Sequence, residues 1–327
     1  MPSPDQPRLS AIRAYPIKSC HCVELKECEI DSMGLQIDRR FMFIEAKSGR
    51  FITQRKYSSM ALIRPLVDTT ADTLTLTAPG QSDLVLPLHP SLGRQFTAKL
   101  WEDTLTVFDM GDEASHWVGK FFNDHRDHNK QNPVGDDDEI NFDAQLPELR
   151  LVTLDDPAKG IYTRPTHQKL PGLHSPFSDW SPVSFGFEAS LESVNHGLEE
   201  TGMSNGKSIS MDRFRNNLTI SSTIPWEEDE WLVAKIGEVT FYIMRPTARC
   251  PVPGIDQDTG VKDDWGCVTD YLKKKRNIPD KPGRNNGCFC VDAAPLTAGT
   301  IRVGDPIQVL ERIPADCVEH PIPPPTY

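Results

Sequence analysis

Short apolar or alternating runs, broken by Gly, Pro, Asp and Ser, dominate the first half of the chain. LSAIRAYP (9–16), VELKECEI (23–30), FMFIEA (41–46), MALIRPLV (60–67), TLTLTA (73–78), LVLPL (84–88) and TLTVF (104–108) each predict a strand. Their close spacing suits antiparallel sheet with tight turns. A helix follows at 113–124, where Trp117, Phe121 and Phe122 share one face. Residues 123–141 are almost devoid of apolar side chains and read as a surface loop; metal binding by His125 and His128 is the weaker alternative there.

From Leu149 onward the pattern predicts a helix at 187–200, with Leu191, Val194 and Leu198 at helical spacing. Strands are predicted at 217–222, along one long run at 232–245, and at 288–293, 300–303 and 307–310. TIRV-GDP-IQVL looks like a hairpin that closes a small barrel. The expected architecture is mainly β (α+β): an N-terminal β-barrel-like domain over 8–140, a second β-barrel with peripheral helices over 149–312, and an extended Pro-rich tail over 313–327.

Charge narrows the function classes. Lys and Arg number 35 against 47 Asp and Glu in 327 residues, a net charge of −12. That balance disfavours nucleic acid or an anionic membrane surface as the main partner, while leaving room for one local basic pocket. No run reaches the roughly 18 apolar residues of a membrane span, and MPSPDQPRLSAIRAYP has neither a secretory h-region nor an Arg-rich transit face. The expectation is a cytoplasmic chain. Its eight cysteines then read as thiols or metal ligands rather than a disulfide framework.

Nucleotide-loop, zincin and hydrolase-elbow motifs are missing from the sequence. The pairs Cys20/Cys22 and Cys288/Cys290 could form a four-thiolate site, but on strands they read better as small apolar fillers. Cys250 differs. It ends the long predicted strand, precedes two prolines and a glycine, and stands beside Arg245 and Arg249, which would favour its thiolate. Lys18 and Ser19 follow one strand and Arg40 precedes another. Arg213, Arg215 and Asn217 alternate along 212–220, either as a solvated strand face or as part of an anion pocket.

Taken together, YPIKSC, DRRF, SDWSPVS (178–184), FRNNLTI (214–220), IGEVTF, RPTARCPVPGIDQDTG (245–260) and GTIRVGDPIQVL (299–310) resemble the MOSC-domain proteins of the mitochondrial amidoxime-reducing component family, over about residues 8–312. The resemblance implies a molybdenum cofactor (Mo-molybdopterin) with Cys250 as the metal's protein ligand and catalytic residue. It implies cofactor binding by Lys18, Ser19, Arg40, Asp179, Trp180, Ser181, Arg215, Asn217 and Arg249. The implied activity is reduction of N-hydroxylated compounds (amidoximes, hydroxylamines, N-oxides) by oxygen-atom removal. The implied partners are a small N-oxygenated substrate and a separate electron donor, cytochrome b5 with its NADH-dependent reductase; mitochondrial association is the alternative location. Sulfur transfer through a Cys250 persulfide and non-catalytic carriage of the cofactor are the rival readings. Ala248 and Phe289 depart from the family pattern by lacking hydroxyls. Lys273–Arg276 is either a docking patch or the cationic end of a helix.

Overall fold

The computed structural model describes residues 6–89, 93–133, 144–156, 160–161, 164–165, 174–222, 224–263, 268–278 and 287–313. Its largest sheet has eight strands, in the spatial order Val23–Leu25, Arg8–Ala14, Leu218–Ser221, Val183–Phe187, Cys288–Pro295, Val239–Ala248, Trp231–Ile236 and Ile307–Arg312. Leu9 N–H donates to Asp305 O and Ile307 N–H to Pro7 O, both at 2.9 Å, so the last strand returns to the first and the sheet curls toward a barrel. Alternate side chains point inward and form one apolar core, including Leu9, Ile12, Phe185, Phe187, Trp231, Phe241 and Val291. The one parallel pairing within this sheet joins Val183–Phe187 to Leu218–Ser221. A parallel pair needs a crossover, and the helix Glu188–Glu200 supplies it.

A second sheet has the order Phe41–Glu45, Leu149–Thr153, Asp103–Asp109 and Gln95–Leu100. Its run Phe41-Met42-Phe43-Ile44 is continuously apolar because both faces are covered. Phe41 and Phe43 pack toward the helix Asp112–Asp124, while Met42 and Ile44 join Leu105, Val107 and Val152 on the other side. Arg64–Asp68, Thr73–Thr77 and Leu84–Pro87 form a three-stranded sheet that buries Leu74 and Leu76 and leaves the alternating threonines less buried. The mainly β, barrel-like fold class read from the sequence holds. Among the described residues no helix is long and apolar enough to cross a membrane.

Strand pairing crosses the expected 140/149 division in both directions. Arg8–Ala14 lies in the sheet of the second half, and Leu149–Thr153 pairs with Phe41–Glu45 of the first. The tail over 314–327 and the pairing of Cys267 lie outside the described residues.

Several local readings are corrected. TIRV and IQVL are strands but not a hairpin: Gly299–Arg302 pairs with Glu27–Asp31, and Ile307–Arg312 with Trp231–Ile236. The corner between them is turned by Asp305, whose carboxylate accepts the Arg302 N–H at 2.7 Å, and by Gly304 N–H donating to Leu9 O at 2.7 Å. The long run at 232–245 is two strands folded at Gly237 (φ 55°). The polar segment after the first helix contains a second, Arg126–Gln131. Polar contacts rather than an apolar face dock it: Asn129 Oδ1 accepts Ser59 N–H at 3.0 Å, and His128 Nε2 lies 2.9 Å from Gly260 O. Hydropathy is blind to such contacts. The helix Val268–Lys275 ends in Lys273–Lys275, and Arg276 pairs with Asp229, so this run reads as a helix end.

Glu228, 1% exposed, sits in the turn before Trp231 and accepts a hydrogen bond from Ser190 Oγ at 2.9 Å. Burial pushes its carboxyl up from 4.5 to about 7. The folded protein therefore holds a proton that the unfolded chain releases, and stability falls as pH rises from about 4.5 to about 7. Glu228→Gln is expected to raise Tm at pH 8 by roughly 2–4 °C, the equivalent of about 1 kcal/mol, and to change it little at pH 5. Thermal unfolding at the two pH values checks this; an equal shift at both would contradict it.

Candidate functional site

The chain leaves the first barrel strand at Ala14 and enters the second sheet at Phe41; between them Val23–Leu25 pairs back onto the barrel, while the stretches 15–20 and 36–40 pass along the seam between the two sheets. A cleft of about 460 Å³ opens on this seam. One wall comes from the turn Ile17–Cys20, closed by Cys20 N–H donating to Ile17 O at 3.1 Å with Ser19 at φ 67°. A serine in the left-handed region is uncommon and is retained where surrounding contacts over-determine it. The opposite wall is the end of Val239–Ala248 and the loop beyond it, which carries Cys250.

Of the residues singled out in the sequence, Lys18, Ser19, Asp179, Trp180, Ser181, Arg215, Asn217, Arg249 and Cys250 all line this cleft. Arg40 does not. Its guanidinium turns away, donating to Gln36 O at 2.7 Å and lying 3.7 Å from Asp31. The preceding Arg39, at φ 47°, takes the cleft position instead. Residues 36–39 form a turn in which Arg39 takes the left-handed conformation, and no sequence pattern told the two arginines apart. Arg213, Arg215 and Asn217 meet in the cleft but not as one strand face: 211–214 is a 3₁₀ turn capped by Arg215 at φ 55°, and the strand begins only at Leu218.

Seven cationic side chains line the cleft (Lys18, Arg39, Arg55, Arg213, Arg215, Arg245 and Arg249) against three carboxylates, Glu102, Asp179 and Asp292. How each cation is held decides what charge remains. Lys18 Nζ donates to Asp179 and to Phe177 O. Crowding by protein would raise the Asp179 carboxyl, but the Lys18 ammonium and the Trp101 indole N–H at 3.0 Å hold it down at about 2. Arg39 makes a two-pronged contact with Asp38, Arg213 pairs with Asp256 and Asp263, and Arg245 reaches Asp292 at 3.1 Å while lying over the Trp180 ring.

Arg215 and Arg249 differ. Among the described residues neither has a carboxylate partner. Arg215 Nη1 donates to the neutral Gln257 Oε1 at 2.9 Å, and both it and Arg39 lie over the Tyr15 ring, at 4.4 and 4.2 Å. Arg249 donates to Phe289 O at 2.7 Å and Phe214 O at 2.9 Å, with Nη2 buried and left without a partner among the described residues. Neutral acceptors fix these guanidinium groups without cancelling their charge.

Cys250 is the exposed thiol among the described cysteines; Cys20, Cys28, Cys288 and Cys290 are buried. Burial pushes Cys20 up strongly, and Cys288 and Cys290 up to about 11 and about 12, as expected of fillers. Among the described residues no three His, Cys, Asp or Glu side chains cluster as a metal cage. The expected thiolate bias at Cys250 is not dominant. Crowding by the cleft walls raises its pKa, a Val252 N–H, Arg55 and Arg249 pull it down, and the balance lies upward. Arg245 is tied to Asp292 instead.

The remaining polar residues brace the cleft. Asp292, 3% exposed, accepts from Ser181 Oγ, Thr247 Oγ1 and Arg245 Nε. Asn217 is fully engaged: Nδ2 donates to Arg13 O at 3.1 Å and Asp38 at 3.0 Å, and Oδ1 accepts Ser184 N–H at 3.2 Å. Asp38 in turn accepts the Tyr15 N–H at 2.8 Å. Sequence reasoning missed Arg39, Gln54, Arg55, Trp101, Thr247, Gln257 and Asp292. The doublet Arg39-Arg40 was a signal for the first of these.

Two family models match the chain. A model described as the MOSC N-terminal beta barrel domain matches residues 6–125, and one described as the MOSC domain matches 174–308. The chain is 27% identical over 308 residues to mitochondrial amidoxime reducing component 2 of Rattus norvegicus, covering 91% of this chain and 82% of the relative. It is 28% identical over 306 residues to mitochondrial amidoxime-reducing component 1 of Homo sapiens, covering 90% and 81%. It is 29% identical over 266 residues to molybdenum cofactor sulfurase 1 of Aedes aegypti, covering 80% of this chain but 31% of that protein. The chain carries both modules and belongs to the MOSC-domain proteins.

Asn217→Ala would leave a buried carboxylate oxygen, a carbonyl and an amide N–H short of partners. The expected cost is about 2–4 kcal/mol, read as a lowered urea midpoint with unchanged m. A loss under about 0.5 kcal/mol would show that water replaces the amide.

Proposed function

We propose that this MOSC-domain protein binds a molybdenum cofactor in the seam cleft and reduces N-hydroxylated compounds there. One observation carries the reading: the exposed thiol of Cys250 shares a cleft with Arg215 and Arg249, two cations that have no carboxylate partner among the described residues and are held by neutral oxygens. A soft metal on an anionic organic scaffold needs both a soft ligand and uncompensated positive charge. Arg249 Nη2, buried and without a partner among the described residues, is a donor available to a bound acceptor.

In this reading Cys250 is the metal's protein ligand. Arg215 and Arg249 take the anionic part of the scaffold, joined by Arg39 in the place first expected of Arg40. Lys18 joins them if its pair with Asp179 opens. Ser19 and Ser181 contribute from the walls, and Asn217 acts by bracing the strands rather than by contact. Trp180, with Arg245 over its ring, limits water at the rim. Bound, the cofactor supplies the redox chemistry. In the net reaction the substrate's N–O bond breaks, two electrons and two protons are taken up, and the N-reduced product and water leave. The electrons come from a separate donor, for which cytochrome b5 with its NADH-dependent reductase is the proposed source.

Replacing Cys250 with Ala should abolish reduction of benzamidoxime or a hydroxylamine by chemically supplied electrons, with the far-UV CD spectrum unchanged. Normal turnover by that variant would contradict the ligand assignment. A +32 Da adduct on Cys250 in metal-free protein would instead favour sulfur transfer, and stoichiometric metal without turnover would favour a carrier.

A further inference from the structure

We propose that Gln257 is a positioning residue that aims Arg215 into the cleft while preserving its charge, and that Gln54 locks Gln257 in place from the other half of the chain. The inference rests on the reading of the cleft as an anion site.

Gln257 occupies the middle position of Asp256-Gln257-Asp258-Thr259-Gly260. The loop is rigid for local reasons. Asp256 Oδ1 accepts the N–H groups of Asp258 (3.1 Å) and Thr259 (2.9 Å) and the Thr259 hydroxyl (2.9 Å), which makes an Asx turn. Gly260, at φ 67°, passes so close to the second helix that a Cβ would lie 3.0 Å from His128 Nε2 and 3.2 Å from Ser58 O. The loop tip thereby carries Gln257, 4% exposed, against Gln54, 1% exposed.

The two amides pair face to face. Gln54 Nε2 donates to Gln257 Oε1 at 2.9 Å, and Gln257 Nε2 donates to Gln54 Oε1 at 3.2 Å and to Ile255 O at 3.1 Å. The second lone pair of Gln257 Oε1 receives Arg215 Nη1 at 2.9 Å. Both donors and both acceptor sites of the Gln257 amide are therefore occupied, and its orientation is fixed. A flipped amide would set an NH₂ against the guanidinium. Four other cleft cations, Lys18, Arg39, Arg213 and Arg245, are held by carboxylates. A glutamate at 257 would keep an oxygen on Arg215 but neutralise the guanidinium, and it would lose the two donations that the amide makes to Gln54 Oε1 and Ile255 O. Glutamine supplies the geometry and leaves the charge.

The test uses the full-length chain purified without cofactor and inorganic phosphate as the probe, with binding measured by isothermal titration calorimetry. Gln257→Glu is expected to weaken phosphate binding at least tenfold, beside the lower urea midpoint that follows from losing two buried amide donations. A merely structural role would weaken binding equally whether or not Arg215 is present. In an Arg215→Gln background the same substitution is expected to produce no further loss. Wild-type-like affinity in Gln257→Glu would overturn the inference. So would an equal loss in the Arg215→Gln background, which would mean that Gln257 acts through the general field of the cleft and not through Arg215. Absence of phosphate binding by the wild-type chain would instead overturn the anion-site reading.

Discussion

Positive charge that no carboxylate cancels is the constraint around which this molecule is arranged. The chain as a whole carries −12, yet its seam cleft collects seven cations and, among the described residues, leaves Arg215 and Arg249 without a carboxylate partner, held by neutral oxygens. Such an arrangement is costly. Burial, with the nearby Arg39, lowers the Arg215 pKa, and like charges sit within one cavity in a medium that screens poorly. A fold tolerates that repulsion where a ligand will supply the missing anion. Amide, carbonyl and aromatic partners hold the guanidinium groups still in the meantime.

The topology explains why the cations converge. Arg8–Ala14 belongs to the barrel of the second half, and Leu149–Thr153 belongs to the sheet of the first. The chain must therefore cross between the sheets, and the crossing segment carries Tyr15, Lys18, Ser19, Asp38 and Arg39. From the second half, the turn 211–215 and the strand end at 248–250 arrive on the opposite side. Asp38 and Asn217 tie the crossing to the barrel, and Gln54 with Gln257 adds a second link between the two halves of the chain. The halves cannot slide without pulling apart buried, fully satisfied amides, which keeps the thiol and the arginines in one register.

Much of this was legible beforehand, for identifiable reasons. Strand alternation such as Thr73–Thr77, continuous runs such as Phe41–Ile44, and the helical spacing of Leu191, Val194 and Leu198 are direct consequences of burial, so hydropathy reads them. Cys250 stood out because a thiol beside arginines at a strand end is chemically unusual. What failed was what hydropathy cannot register. A glycine at positive φ broke one long strand into two at Gly237, and a polar helix at 126–131 docked through Asn129 and His128. The choice between Arg39 and Arg40 turned on a single backbone dihedral. Gln54 and Gln257, more than two hundred residues apart, meet through tertiary structure alone.

The most direct test of the central claim is joint analysis of molybdenum and pterin in protein made in a host that assembles the cofactor. Wild type should carry about one of each per chain, and the double substitution Arg215→Gln with Arg249→Gln should lose both while remaining folded. Wild-type protein devoid of metal and pterin, or a double variant that retains them in full, would contradict the account.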